Sequence, residues 1–569
     1  MAKQTKQTFL KGAIILAVGA MLVKIIGVVF KIPLINLIGS SGLGYFNTAY
    51  DLYLLIYTLA VAGLPVAVAK MIAESVAQKR YKDVTRIYKA SLRAFLLTGT
   101  IGFILMVGGS FIFVKFIRNS GAIYSLLALS PMVFFSCMIA AQRGYYEGLR
   151  NMYPTAVSQI IEALAKLLLG LFLAYAVVIY GQDYYLQHGK VFFITPLDAA
   201  DAERIINALG AAAAILGVTI GSILATVYLL IYHKGKGKPF TDEEIEASPP
   251  ARSYSAVIKS LVKIAIPVCL GALVLNLTAF VDLSFLQRRI GDIVVKIPDF
   301  AEKYYPGTSL SAAPGSELAN TLYGYYGYAL ILYAIVPTIT QAFGVSALPT
   351  VTTAWTKGDR SRLKDGIESA LKITALIAFP AGLGLTVMSE PILTLIYGSD
   401  PLGVQIAAPL LSVLGISVIF LSFSSPVNSM LQAIGKQKIP VILLVSGGII
   451  KIVTNYVLVG IPSININGAP IGTLCCCAFV TVCGLIALCI KAKIVPSLLN
   501  VFVKPLISAA FCVLSAYLSH SLLSQVITKR AATVVSLAIS VVIYVILLVC
   551  LKVITVSELK NRLNRKKIA

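Results

Sequence analysis

IINALGAAAAILGVTIGSILATVYLLIY, residues 205–232, is an uncharged run of twenty-eight residues between Arg204 and His233-Lys234. An α-helix crosses about 30 Å of hydrocarbon with roughly 20 apolar residues, whereas a spanning β-strand needs about ten that alternate with polar ones. This run is long and continuous, so it reads as a transmembrane helix. Working outward, the same pattern recurs at 12–34, 46–73, 88–113, 122–146, 154–179, 257–285, 319–350, 367–390, 404–432, 440–461, 468–491, 499–523 and 531–553. The expectation is therefore an all-α integral membrane protein of about fourteen spans. Composition agrees. Of 569 residues 58% are hydrophobic and 13% charged, against roughly 45–50% and about 25% in soluble domains.

The net charge of +24 comes from 48 Lys+Arg against 24 Asp+Glu. In a soluble chain that excess would suggest nucleic acid. Here the basic residues flank apolar runs, with no aromatic-basic platform, so no nucleic-acid partner is expected. With both termini in the cytoplasm, the inside loops and tails outweigh the outside loops in Lys and Arg by roughly three to one, as the positive-inside rule asks. Lys79, Arg80, Lys82, Arg86 and Lys89 fall inside, as do Arg562, Arg565, Lys566 and Lys567. The lysines at the N-terminus precede an apolar run that itself carries Lys24 and Lys31. It has no small-residue cleavage site, so it reads as an uncleaved first helix.

Two stretches repeat. Residues 78–93 and 357–372 are basic loops entering an apolar helix, and 147–154 and 432–440 are short turns entering a helix with one lysine, Lys166 or Lys451. The offsets, about 279 and 285 residues, suit a duplication of six-helix units. The expected organisation is an N-terminal six-helix lobe (1–232), a flexible linker (233–256), a C-terminal six-helix lobe (257–491) and two extra helices with a basic tail (492–569). Outside loops at 181–203 and 287–318 read as connections or small lids.

No catalytic residue and no metal ligand set is expected. The chain has no Walker A, H-E-x-x-H or G-x-S-x-G pattern. The cysteines 475–477, 483 and 489 lie in one apolar run as small hydrophobes, and His188, His233 and His520 read as loop residues that form no ligand set. The informative residues are charges inside spans, each costing about 2.5–3.5 kcal/mol at a helix centre on insertion scales. Lys24 and Lys31 share a face of the first helix, and no neighbour on that helix neutralises Lys24. Asn47, Asp51 and Thr58 share a face of the second, beside Tyr50 and Tyr57. Asp282 lies in the seventh. Glu162 and Lys166, and Arg143 and Glu147, are i, i+4 pairs that can close within their own helices. Lys451 is the eleventh-helix counterpart of Lys166. Buried cations partly offset by Asp51 and Asp282 suit a phosphate or diphosphate ligand. Polar residues such as Asn276, Gln341, Asn428, Gln432 and Asn455 read first as interhelical hydrogen-bonders. Gly63-Leu-Pro65, Phe379-Pro380 and Ser425-Pro426 read as kinks.

Met21-Leu-Val-Lys-Ile-Ile-Gly27, Arg143-Gly-Tyr-Tyr-Glu-Gly148, Arg150-Asn-Met-Tyr-Pro-Thr155 and Gln432-Ala-Ile-Gly-Lys-Gln-Lys-Ile-Pro440 carry a family resemblance. They resemble the polysaccharide-exporter branch of the multidrug/oligosaccharidyl-lipid/polysaccharide (MOP) flippases, and within it the stage V sporulation protein B and Gram-positive MurJ-like lipid II flippases. The resemblance implies a V-shaped pair of lobes that opens alternately to either side. It implies translocation of a polyprenyl-diphosphate-linked saccharide, with lipid II for cell-wall or spore peptidoglycan as the substrate. It places Lys24 as the first-helix cation that holds the diphosphate, where proteobacterial members carry arginine. Residues 323–332 hold no charge, so the eighth-helix charges of those members have no counterpart.

The resemblance calls for no cofactor, with energy from a coupling ion or the membrane potential. The partners it implies are a lipid-linked oligosaccharide, the bilayer and cell-wall synthesis proteins. Two other readings stand beside it: a cation-coupled multidrug or metabolite antiporter, and a non-transporting envelope scaffold. A positively charged cavity disfavours the first, and charges embedded in helices disfavour the second.

Overall fold

The computed structural model describes residues 9–61, 63–236, 240–308, 310 and 315–551; the basic tail lies outside them. The described chain is helical, with one isolated two-residue bridge, Val191 to Ile194. In chain order the helices are α1 (Phe9–Val61), α2 (Leu64–Ala77), α3 (Tyr81–Ile117), α4 (Ala122–Gly148), α5 (Tyr153–Ala165), α6 (Leu171–His188), α7 (Ala199–Lys236), α8 (Asp242–Glu246) and α9 (Tyr254–Lys296). There follow α10 (Phe300–Tyr304), α11 (Gly315–Thr356), α12 (Arg360–Val387), α13 (Ser389–Tyr397), α14 (Pro401–Ala433), α15 (Lys438–Val459), α16 (Gly468–Ala492), α17 (Lys504–Leu523) and α18 (Lys529–Cys550).

Twelve helical stretches among the described residues are long and apolar enough to cross a bilayer, against the fourteen read from the sequence. Two of the expected spans fall in one stretch, Gly19–Ala77. A straight 53-residue helix would run about 80 Å, yet the rings of Phe30 and Phe46 in α1 are 5.9 Å apart. Residues sixteen apart meet only if the chain folds back. It does so at Gly39, whose φ of 63° and ψ of −173° lie in a region essentially reserved for glycine. The expected span 257–285 lies on α9, which is not among the twelve.

Contacts divide the chain into two compact units. One holds residues 1–301 and 312–324, the other 302–311 and 325–569. In the first unit α4 is central, packing on α1, α2, α3 and α7. At one end of this unit a buried amide network ties α1 to α9 and α11. Asn119 donates to Gln287 (3.2 Å) and Asn320 (2.9 Å), Gln287 donates to Thr48 (2.8 Å), and Asn320 donates to the Ser41 carbonyl (2.9 Å).

Of the stretch expected as a flexible linker, residues 240–252 are held down. Asp83, 1% exposed, accepts from Arg80 Nε (2.6 Å), the Arg252 backbone N–H (2.7 Å) and Arg252 Nε (2.9 Å). Arg86 and Lys82 donate to carbonyls at Arg252 and Ser248 (2.8 and 3.0 Å), and the Tyr81 ring packs tilted against Phe240, centroids 4.3 Å apart. Helix α8 within it is closed by a capping box at Thr241 and Glu244. The linker is thus fastened to the α2–α3 turn and delivers the chain to the start of α9.

In the second unit α12, α14 and α16 enclose an apolar core around Leu371, Phe379, Phe423, Val427 and Met430. Asp400 caps α14 through the Gly403 N–H (2.9 Å) and accepts the Tyr328 hydroxyl (3.0 Å). Tyr544 of α18 donates to the Leu376 carbonyl of α12 at 2.9 Å. The loops expected at 181–203 and 287–318 are shorter than the sequence suggested, because α6, α7 and α9 run past their apolar stretches. For the same reason His188 and His233 are helical. His520 also lies on a helix, α17.

Candidate functional site

The helical run Tyr153–His188 is interrupted by a π-turn, Lys166–Gly170. Lys166 opens that turn, and its ammonium faces three rings supplied by the folded-back α1. Nζ stands 4.8 Å from the centroid of Phe30, 5.7 Å from Phe46 and 4.9 Å from Tyr50, and donates to the Tyr50 hydroxyl at 3.4 Å. The fold-back at Gly39 builds this cage, because Phe30 comes from one arm of α1 and Phe46 and Tyr50 from the other.

The rings continue as a ladder along the second arm. Phe46 stacks on Tyr50 at 5.0 Å, Tyr50 meets Tyr53 edge-on at 6.1 Å, and Tyr53 stacks on Tyr57 at 5.6 Å. The spacing of three or four residues places them on one helix face. The Tyr53 and Ser136 hydroxyls are 2.9 Å apart, which ties the ladder to α4.

Lys31 follows Phe30 and is half-buried. It lies within electrostatic reach of Asp51 and of Lys166. Asp51 accepts the Tyr323 hydroxyl. Among the described residues neither Lys31 nor Lys166 forms a salt bridge. Two like charges brought together in a low-dielectric region repel, and an anion between them would relieve that repulsion.

Two family models match the chain in succession, one described as polysaccharide biosynthesis protein over residues 9–186 and MatE over 324–457. Stage V sporulation protein B of Bacillus subtilis (strain 168) is 25% identical over 569 residues, covering 98% of each chain. Lipid II flippase MurJ of the same organism is 24% identical over 461 residues, covering 79% of this chain and 77% of that one. In structure the chain is similar to a lipid II flippase MurJ in an inward closed conformation, with a TM-score of 0.60 at 15% identity over 94% of this chain and 98% of that one. It is equally similar to an inward-facing multidrug resistance MATE family transporter of the MOP superfamily, with a TM-score of 0.61 at 15% identity over 83% and 94%. The chain shares the fold of these transporters.

The charges read from the sequence meet different partners from those expected. Glu162 does not close on Lys166, nor Arg143 on Glu147. Instead Arg143 reaches from α4 to α5, donating to Glu162 at 2.5 Å and Ser158 at 2.9 Å. Helix crossing puts Glu162 nearer to Arg143 than to its own i+4 neighbour, and that frees Lys166 for the cage. Glu147 is half-buried and within electrostatic reach of Arg143.

Lys24 is exposed on α1, on a face shared with Met21, Leu22 and Ile25. It stands seven residues, about 10 Å of helix, from Lys31. Asp282 is buried on α9 in the same unit, whereas Lys451 is buried on α15 in the other. Of the polar residues, Asn276 donates to Thr58 at 2.6 Å and Asn428 to Ser424 at 3.3 Å. The first joins two helices, as expected of these polar residues, whereas the second stays within α14. Sequence reasoning missed the cage rings Phe30 and Phe46, the partner Tyr323 and the whole Asp83 clasp. The aromatic spacing 46, 50, 53, 57 was the one available signal.

Proposed function

We propose that this protein is a flippase that moves a polyprenyl-diphosphate-linked saccharide, with lipid II the leading substrate, across a bacterial cytoplasmic membrane by alternating access. Both termini lie in the cytoplasm on the positive-inside argument, and the use is cell-wall or spore peptidoglycan synthesis. One observation carries the reading. Lys31 and Lys166 are brought within reach of each other inside apolar helices, where charge is expensive, instead of each being closed off by a salt bridge.

An anionic headgroup would find its counter-charge there, with Lys24 on the exposed face of the same helix as an earlier contact. The ladder Tyr50, Tyr53 and Tyr57 offers ring faces on which a sugar can lie. Asp51, held by the Tyr323 hydroxyl, would return Lys31 to neutrality once the substrate leaves. Relatives named as a lipid II flippase and a sporulation protein support the substrate class. The lobes 1–232 and 257–491 remain the proposed duplicated units, although contacts group α9 with the first of them.

The test is flipping of a labelled polyprenyl-diphosphate saccharide in proteoliposomes, comparing wild type with Lys31→Ala and Lys24→Ala. Flipping should fall by about tenfold or more for Lys31→Ala, the loss of a charge-assisted contact. Unchanged rates in both variants would remove the site. A wild type that instead exchanges cationic drugs against an ion gradient would establish the antiporter.

A further inference from the structure

A lysine buried only for structural reasons would be expected to pair with Glu162, one helical turn before it, but Glu162 is committed to Arg143 at 2.5 Å. Lys166 is therefore held by ring faces. Rings stabilise the charge of an ammonium, but they leave its hydrogen-bonding donors open. An ammonium has three donors, and among the described residues the Tyr50 hydroxyl is the one acceptor it meets.

The turn that carries it is also unusual. A π-turn inserts one residue into the helical register and is frequently found at functional sites. This one is pressed from both sides. A Cβ on Gly217 of α7 would overlap the Gly170 backbone, and a Cβ on Gly170 would stand 3.0 Å from the Phe30 ring. The π-turn, the cage ring Phe30 and α7 are thus packed as one piece, and Lys166 sits at its edge within electrostatic reach of Lys31.

We propose that Lys166 is a caged second cation of the substrate site, binding together with Lys31 so that a diphosphate is selected over a monophosphate. This rests on the flippase reading above. Lys31 alone, next to Asp51, suffices for one phosphoryl group. The second phosphoryl group draws on the open donors of Lys166, which stays against the rings of Phe30, Phe46 and Tyr50. The Tyr50 hydroxyl, its present partner, is neutral and readily displaced by a charged oxygen, since charge-assisted hydrogen bonds are roughly twice as strong as neutral ones. Selectivity is then a difference between two affinities, set by one residue.

The full-length protein, purified in detergent, is titrated with farnesyl diphosphate and with farnesyl monophosphate. Wild type should favour the diphosphate by about tenfold or more. Lys166→Met should weaken the diphosphate far more than the monophosphate, bringing the two to within about twofold of each other, whereas Lys166→Arg should keep the preference. Melting temperatures check that each variant is folded, and Lys166→Gln carries the same test should the methionine variant not purify as a monodisperse protein. Equal weakening of both ligands, or none, would overturn the role of Lys166 while leaving the flippase reading intact. A wild type that binds neither ligand would overturn both.

Discussion

Replacing Asp83 with alanine should release the segment 240–253 from the α2–α3 turn. Asp83 is almost fully buried and accepts three hydrogen bonds, one from the Arg252 backbone and one each from the Arg80 and Arg252 side chains. The backbone bond, to a buried carboxylate, is worth about 1.5–2 kcal/mol. The two guanidinium groups are 29% and 38% exposed, so each contributes nearer the ~0.5–1 kcal/mol of a solvent-screened pair. The sum is about 3 kcal/mol, at the lower edge of the ~3–5 kcal/mol found when one partner of a buried pair is removed.

At ~1.4 kcal/mol per factor of ten, local opening of the segment becomes about a hundredfold more frequent. Native-state proteolysis reads that frequency where reclosing is faster than cleavage, as does exchange of the Arg252 amide. Cleavage within 240–253 should accelerate by about two orders of magnitude in Asp83→Ala. Asp83→Asn, which keeps an acceptor oxygen but loses the charge, should fall about midway on a logarithmic scale. Protection in Asp83→Ala within about threefold of wild type would show that the clasp holds nothing, and the additive reasoning would fail.

Other consequences are equally open to measurement. Gly39→Ala forces a side chain into a glycine-only conformation at the α1 fold-back, so thermal stability in detergent should fall by the equivalent of about 1–3 kcal/mol. An unchanged melting temperature would mean that the turn tolerates a Cβ. In a double-mutant cycle of Arg143→Met and Glu162→Gln, the single Glu162→Gln should be less stable than the double variant, by about 1–2 kcal/mol. It strands a guanidinium in apolar surroundings, and additive behaviour would contradict the pair. Asn320→Leu removes the centre of the buried amide network, leaving the Ser41 carbonyl and the Asn119 amide short of partners. A loss of about 1–3 kcal/mol is expected in thermal unfolding, and a variant as stable as wild type would refute the network's role.

Membrane class, helical architecture and most span positions were legible in the chain itself. In hydrocarbon every backbone N–H and C=O must find a partner within its own segment, so an uncharged run such as 205–232 has one available form. That constraint is local and needs no knowledge of neighbours. It weakens where helices run on past their apolar stretches, as α7 and α9 do, and where a single glycine turns a span back on itself, as Gly39 does. Arg143, Glu162 and Lys166 were visible as charges in costly places, but their partners were not. Sequence spacing offered Glu162 to Lys166 and Glu147 to Arg143, and the packed helices joined Arg143 to Glu162 and gave Lys166 the rings of a distant arm. Burial forces each charge to find compensation, but which group supplies it depends on how helices far apart in sequence cross. Only the tertiary structure decides that.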